Sequence, residues 1–328
     1  MIHPFLLTTV LLTALCGTSA SAQTSAVETA RVAFATAVTS PYQERAAAIL
    51  VDSIRSFGGE YSRAPVFVVV GDPDQLPCSK LKERGARIIG LEMDEAARGY
   101  PFAFKVYAAA KVERMVAQEA GTLVWLDAET LILAPPRELE LDRLHGVATR
   151  PVFLLNTIGL PATQPVDEYW SAIYTATGAD PAAVPTVDSF VESTKIRFYI
   201  NCGIIAYRPQ LGICQEWARV FSVMVRDTAF QRLACADPLH RIFLHQAVLS
   251  AVILARTSPA ERLGLPPGYV YPLHLHERVP PEKRAAKLNG LACVIVESLW
   301  RDRMDWTTLI TVDEPLRSWL PERQKEFL

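Results

Sequence analysis

The sequence predicts an α/β fold, a mainly parallel sheet flanked by helices. Three observations carry that prediction. Strand-like and helix-like stretches alternate through the first half of the chain. One strand candidate, residues 65–70, is a short valine-rich run of the kind a strand buried on both faces requires. Turn-forming or acidic residues follow at the carboxyl ends of these runs, as in Gly71-Asp72-Pro73-Asp74 and Asp127-Ala128-Glu129.

The elements follow in order. Residues 31–39 form the first strand candidate, with Val32, Phe34 and Val38. It ends in Ser40-Pro41-Tyr42-Gln43. Ser40 suits an N-cap, Pro41 the first helical position, and Gln43 the partner of a capping box. The helix that follows repeats Ala47, Leu50, Ile54 and Phe57 at steps of three and four, and Gly58-Gly59 stops it. After the 65–70 strand and its turn comes a short helix over 75–84, and then a third strand over 86–91. A long helix over 102–119 has an inner stripe of Phe102, Val106, Ala109, Val112 and Val116, and an outer one of Lys111, Arg114 and Gln118. Gly121 ends it, and residues 122–126 make the fourth strand. The second half is less regular. It holds an extended stretch over 146–155, a helix near Tyr169, a strand over 197–207, a helix opened by Arg208-Pro209, and a helix over 239–254. A proline- and charge-rich loop over 256–287 and a late strand over 291–296 complete it.

The composition bounds the function. Of 328 residues, 50% are hydrophobic, ample for a sizeable core. Lys plus Arg number 33 against 35 Asp plus Glu, a formal net charge of -2. No basic field is available to grip nucleic acid, so an anionic substrate needs a local site. Residues 5–15 are mostly apolar and too short to span a bilayer, and Ala20-Ser21-Ala22 offers a cleavage site. A signal peptide over 1–22, a flexible lead over 23–30 and one domain over 31–328 are therefore expected. The product is then expected to be exported, periplasmic, secreted or lumenal, with no stable membrane span after processing. The cysteines outside that leader are Cys78, Cys202, Cys214, Cys235 and Cys293. Their number is odd and their spacings fit neither a zinc knuckle nor a redox pair, so buried packing is their expected role. No nucleophile-elbow, P-loop or dinucleotide fingerprint occurs, which lowers hydrolase, ATPase and dehydrogenase readings.

Chemistry is expected where the strands end. Asp127 and Glu129, one residue apart, can point the same way, and two hard carboxylates at that spacing suit Mg²⁺ or Mn²⁺. An acidic pair after a strand is by itself often only a solvated turn, and the order of the surrounding motifs decides between the two. Val124-Trp125-Leu126-Asp127-Ala128-Glu129-Thr130 resembles the hydrophobic strand and D-x-D motif of GT-A fold nucleotide-sugar glycosyltransferases. The Ser/Thr-rich turn Thr39-Ser40-Pro41-Tyr42 and the helix start Phe102-Ala103-Phe104-Lys105 precede it in the order those enzymes use. Asn201-Cys202-Gly203-Ile204-Ile205-Ala206-Tyr207-Arg208 resembles their N-x-G strand, and His245-Gln246-Ala247-Val248-Leu249 their Asp-Gln helix start. The resemblance spans residues 31–254.

It implies transfer of a sugar from a nucleotide diphosphate to a glycan, lipid or protein acceptor. Asp127 would meet the ribose or a Mn²⁺ or Mg²⁺ ion, and Glu129 would ligate that ion. His274 or His276 would supply a late metal ligand. Ser40 and Tyr42 would lie near the base, and Lys105 would meet the diphosphate or sugar. Asn201, Gly203 and Gln246 would border the sugar and acceptor as catalytic residues. Glu129 stands where the motif usually ends in Asp, and His245 where the helix usually carries an acid. Two further readings stay open: an exported glycan- or sugar-binding protein without turnover, and an α/β domain whose pocket is filled by side chains. Against the functional assignments, Lys105 reads equally as a surface lysine, Asn201-Cys202-Gly203 as a strand bulge, and Trp125 and Trp217 as core or pocket wall.

Overall fold

The computed structural model describes residue 1 and residues 30–302 and 305–327. The expected signal segment, beyond Met1, lies outside the described residues, as does the lead over 23–29. The elements in order are β1 (Ala30–Val38), α1 (Pro41–Phe57), β2 (Val66–Val70), α2 (Ser79–Glu83), β3 (Arg87–Gly90), α3 (Ala103–Val116), β4 (Ala120–Leu126) and β5 (Thr130–Ile132). Next come β6 (Val147–Pro151), α4 (Glu168–Thr177), β7 (Thr186–Asp188), β8 (Lys195–Arg197), β9 (Ile200–Tyr207), α5 (Ile213–Arg226), α6 (Thr228–Leu233) and α7 (Pro238–Arg256). The last are β10 (Arg262–Gly264), β11 (Tyr271–Pro272), β12 (Cys293–Ile295) and α8 (Leu316–Phe327).

The main sheet has seven strands in the order β10-β6-β9-β4-β1-β2-β3. β1 pairs in parallel with β2 and β4, β2 with β3, and β10 with β6; β9 runs antiparallel between β4 and β6. The expected mainly parallel sheet is therefore present, with one reversed strand beside β4. A three-stranded sheet, β11-β12-β5, sits beyond the end of β4, and β7 and β8 form a ribbon. β4 is the strand that feeds both larger sheets: three residues after it ends, the chain enters β5.

Side-chain alternation along β1 splits the core. Phe34 and Val38 pack toward α1 and the small sheet, and Ala33 and Ala35 toward α3, α5 and α7. α1 starts as its sequence dictates, with Ser40 Oγ accepting from the Gln43 N–H at 3.3 Å and Pro41 in the first turn. The reciprocal half of the expected capping box differs. Gln43 Oε1 accepts from the N–H and hydroxyl of Thr39, each at 2.8 Å, not from Ser40. α7 is long and apolar enough to cross a membrane by length and composition, but its middle, from Leu244 to Ile253, is buried.

Several boundaries differ from the sequence reading. α3 ends at Val116, and Gly121 lies inside β4 instead of terminating the helix. Phe102 is not part of the inner stripe. It precedes α3 with a left-handed backbone (φ 59°) and is 48% exposed. The 75–84 helix shortens to α2, preceded by Cys78 in a left-handed conformation. All five described cysteines are free and buried, in keeping with packing roles.

Candidate active site

Asp127 follows β4 immediately, and its backbone is fixed from two sides. Its N–H donates to the Gly203 carbonyl at 2.8 Å, and its carbonyl accepts from the Thr130 hydroxyl at 2.7 Å. The carboxylate is fixed as well. Oδ1 accepts from the Trp125 indole at 2.9 Å and Oδ2 from Lys105 Nζ at 2.8 Å. Lys105 is no surface lysine. It is 8% exposed, inside the first turns of α3, and also donates to Cys202 Sγ at 3.3 Å. Burial alone would push its ammonium down, but Asp127 and Cys202 outweigh that and hold it above the ordinary lysine value.

Glu129 occupies the turn between β4 and β5. Its Oε1 accepts from the Tyr42 hydroxyl at 2.5 Å, and its carbonyl accepts from the Val296 N–H at 2.9 Å. Partial burial raises the Glu129 carboxyl above the usual range, and the nearby charges of Glu297 and Asp127 add to the rise. Glu297 is raised in the same direction by burial and by Asp127. Its carboxylate lies 3.2 Å from His274 Nε2. Three carboxylates thus crowd the end of β4.

Glu297 was not among the residues singled out from the sequence. The signal was present: it follows the late strand as Asp127 follows β4. What the sequence could not show is that β12 runs antiparallel to β5 with Ile295 opposite Thr130, which brings the two strand ends together.

The other expected site residues divide. Gly203 lies against Asp127: a Cβ there would stand 3.3 Å from Asp127 Oδ2, 3.1 Å from Asn201 Oδ1 and 2.8 Å from Ile295 Cδ1. Asn201 spends its Oδ1 on the Gly203 N–H at 2.8 Å, and buried Gln246 spends its Oε1 on the Cys202 N–H at 3.2 Å. Both therefore brace β9, where the pairing with β6 is irregular, so the bulge reading and proximity to the site hold together. Tyr42 turns toward Glu129, whereas Ser40 lines a separate, larger cavity. His274 and His276 face different partners, because Leu273–Arg278 is 3-10 helical with a kink at Leu275 between them. His274 reaches Glu297, while His276 is 2.8 Å from the Tyr271 hydroxyl inside the core. His245 is buried and stacked on Phe102 with centroids 4.3 Å apart, and burial with Lys105 nearby keeps it neutral, well below the usual histidine value. Trp217 is core, donating to the His245 carbonyl at 2.7 Å, whereas Trp125 is both core and pocket wall.

Two cavities meet at this edge of the sheet. One, about 550 Å³, is lined by Asp127, Glu129, Lys105, Trp125, Phe102 and Tyr100 among others. The other, about 1070 Å³, opens at the ends of β1, β2 and β3. The donor set of Asp127, Glu129, Glu297 and His274 has the oxygen-rich chemistry a hard divalent cation takes, and the mutual repulsion of its carboxylates is what such a cation relieves. The ligand geometry is not preassembled: among the described residues no three His, Cys, Asp or Glu side chains converge as a metal-holding group.

An open α/β sheet with a carboxylate-rich cleft at its strand ends is the architecture of a ligand-binding or group-transfer protein. A protein-family profile described as the Rhodobacterales glycosyltransferase domain matches residues 34–256. The chain belongs to that family. No curated protein matches it. Among solved structures it is similar to the apo form of the bifunctional glycosyltransferase WbbM, with TM-score 0.47, 14% identity and 91% of this chain covered. It spans about half of that protein, 52% of its chain. It is similar to apo mouse xyloside xylosyltransferase 1, with TM-score 0.44 and 13% identity over 81% of this chain and 97% of that one. It is also similar to an active-site mutant of LgtC, with TM-score 0.47 and 12% identity over 90% of this chain and 94% of that one.

Proposed function

We propose that this protein transfers a sugar from a nucleotide-diphosphate sugar to an acceptor hydroxyl, with Asp127 at the centre of the donor site. One observation carries the reading. The segment matching a glycosyltransferase family runs through the interior strand that delivers Asp127, pinned and oriented, into a cleft. In the reaction the bond between the sugar's anomeric carbon and the phosphate oxygen breaks with its electron pair left on the diphosphate, the acceptor oxygen takes the sugar, and the acceptor's proton passes to the released diphosphate or to water. Asp127, Glu129 and His274 would hold Mn²⁺ or Mg²⁺, which supplies charge against the leaving diphosphate. The chain's own residues do the positioning. Lys105 and Trp125 fix the Asp127 carboxylate, Tyr42 orients Glu129, and Gly203 leaves room beside Asp127.

Calorimetric titration with a panel of UDP- and GDP-sugars, with and without Mn²⁺, tests this. Binding that Mn²⁺ strengthens and Asp127→Asn weakens at least about tenfold is expected. Absence of nucleotide binding in both conditions defeats the reading. A second reading, sugar binding without turnover, is favoured by the prior engagement of both Asp127 oxygens. Metal-dependent release of nucleoside diphosphate rules it out. Export belongs to the same proposal, resting on the apolar leader and Ala20-Ser21-Ala22, and a mature amino terminus at Gln23 is the expected result of terminal sequencing.

A further inference from the structure

The two cavities share four lining residues: Thr39, Met93, Arg98 and Phe104. These define the passage between them. Met93 and Phe104 are apolar, and Thr39 has given its N–H and hydroxyl to Gln43. Arg98 is the cation of the set. Two other cations line the cavities, and both are committed: Lys105 to Asp127 and Cys202, and Lys111 Nζ to the Gly90 carbonyl at 2.6 Å. Among the described residues nothing pairs with the Arg98 guanidinium, although neighbouring Asp94 is paired with Arg226. The Arg98 backbone is nevertheless held. Its N–H reaches the Asp94 and Glu95 carbonyls at 3.1 Å, Ala97 before it is buried, and Tyr100 after it bonds Gln231 at 3.0 Å. An uncommitted guanidinium on an anchored turn, at the junction of a large cavity and a small one, is placed to grip an anion that spans both.

We propose that Arg98 is the residue that binds the donor's diphosphate. The nucleoside occupies the 1070 Å³ cavity at the ends of β1–β3, and the sugar the 550 Å³ cavity at Asp127. The linking phosphates cross the passage, and the planar guanidinium donates to their non-bridging oxygens. This rests on the nucleotide-sugar reading above and adds to it where each part of the donor lies.

The test is calorimetry of UDP, GDP, uridine and guanosine on the full-length protein and its Arg98→Ala and Arg98→Lys variants. Because the side chain is exposed, the variants should keep the wild-type urea midpoint. Arg98→Ala should weaken whichever diphosphate binds best by about 10- to 100-fold and leave the matching nucleoside unchanged, with Arg98→Lys recovering part of the loss. Wild-type affinity for the diphosphate in Arg98→Ala overturns the assignment while the proposed function stands. An equal loss for the bare nucleoside also overturns it, since the residue would then serve the nucleoside. If the wild-type protein binds neither diphosphate, the proposed function and this assignment fall together.

Discussion

Asp127 and Lys105 make the contact on which the site's geometry rests, and its energetics can be separated from any ligand. The ammonium is almost wholly enclosed, while the carboxylate side chain is 36% exposed and has a second donor in Trp125. Loss of either partner is therefore asymmetric. Asp127→Asn leaves a buried cation with no counter-charge and should cost roughly 2–3 kcal/mol. Lys105→Met leaves a carboxylate that water and the indole still serve, and should cost less, about 1 kcal/mol. In the double variant the buried cation is gone, so the combined loss should fall short of the sum by at least ~0.5 kcal/mol. Urea denaturation of the four proteins without ligand measures this cycle. Additive losses would show that the 2.8 Å contact is geometric only. The Asp127 position was legible from the sequence, because an apolar strand ending in an acid places that acid at the sheet edge. The direction of Lys105 was not, since a lysine near a helix start reads as well for solvent as for the interior.

Helix α5 shows how an element can depend on a residue far away in the chain. Its N-cap is Gly212, which offers no side chain, so its first N–H groups need another acceptor. Glu113 of α3 provides it, accepting from Cys214 at 2.9 Å and Gln215 at 2.8 Å. The side chain is fully buried, and burial holds its carboxyl above the usual glutamate range despite those donors. The linkage sign follows. Between the usual glutamate range and the raised folded value, the native state keeps a proton that the unfolded chain has released, so stability falls as pH rises through that window. Glu113→Gln removes the titration, and the wild-type lead over this variant should narrow across that window in urea midpoints taken from pH 4 to 8. A lead that stays constant or widens would refute a raised carboxyl. Glu113→Ala, which leaves a buried and a partly buried N–H without an acceptor, should cost roughly 1–3 kcal/mol. Such partnerships explain which parts of the fold the sequence could not disclose. Apolar runs placed β1, β2, β4 and β9, helical spacing placed α1, and length and composition placed α7. The sequence reading misplaced Phe102 and Gly121, because an exposed left-handed aromatic and a glycine inside a strand owe their positions to neighbours. It left His274 and His276 as alternatives, because which of the two faces the strand end depends on a 3-10 segment kinked at Leu275 between them.

At the scale of the molecule, the family match and the packing do not coincide. The matched region ends at residue 256, yet the core on the α1 side of the sheet continues through Val270, Tyr271, Leu273, Cys293, Val294 and Trp300. Among the described residues β5, which follows the turn bearing Glu129, pairs only with β12, so its partner comes from beyond the match. Truncation after residue 256 would strip β11 and β12 from β5 and expose Leu131 and Ile132, both 0% exposed in the intact chain. Each large apolar side chain moved from core to water costs about 1.5–3 kcal/mol, and a domain's entire stability is about 5–15 kcal/mol. The deleted segment contributes enough such side chains to exceed that margin. A chain of residues 30–256 should therefore lack a cooperative urea transition and bind a hydrophobic dye, while residues 30–328 unfold in one step. The same deletion removes Glu297 and His274 from the strand end, so the nucleotide binding proposed above should be absent from the shorter chain. A sharp, reversible transition in the shorter chain would show that the segment after α7 is an accessory layer, and that the site's third carboxylate is an addition to an already complete core.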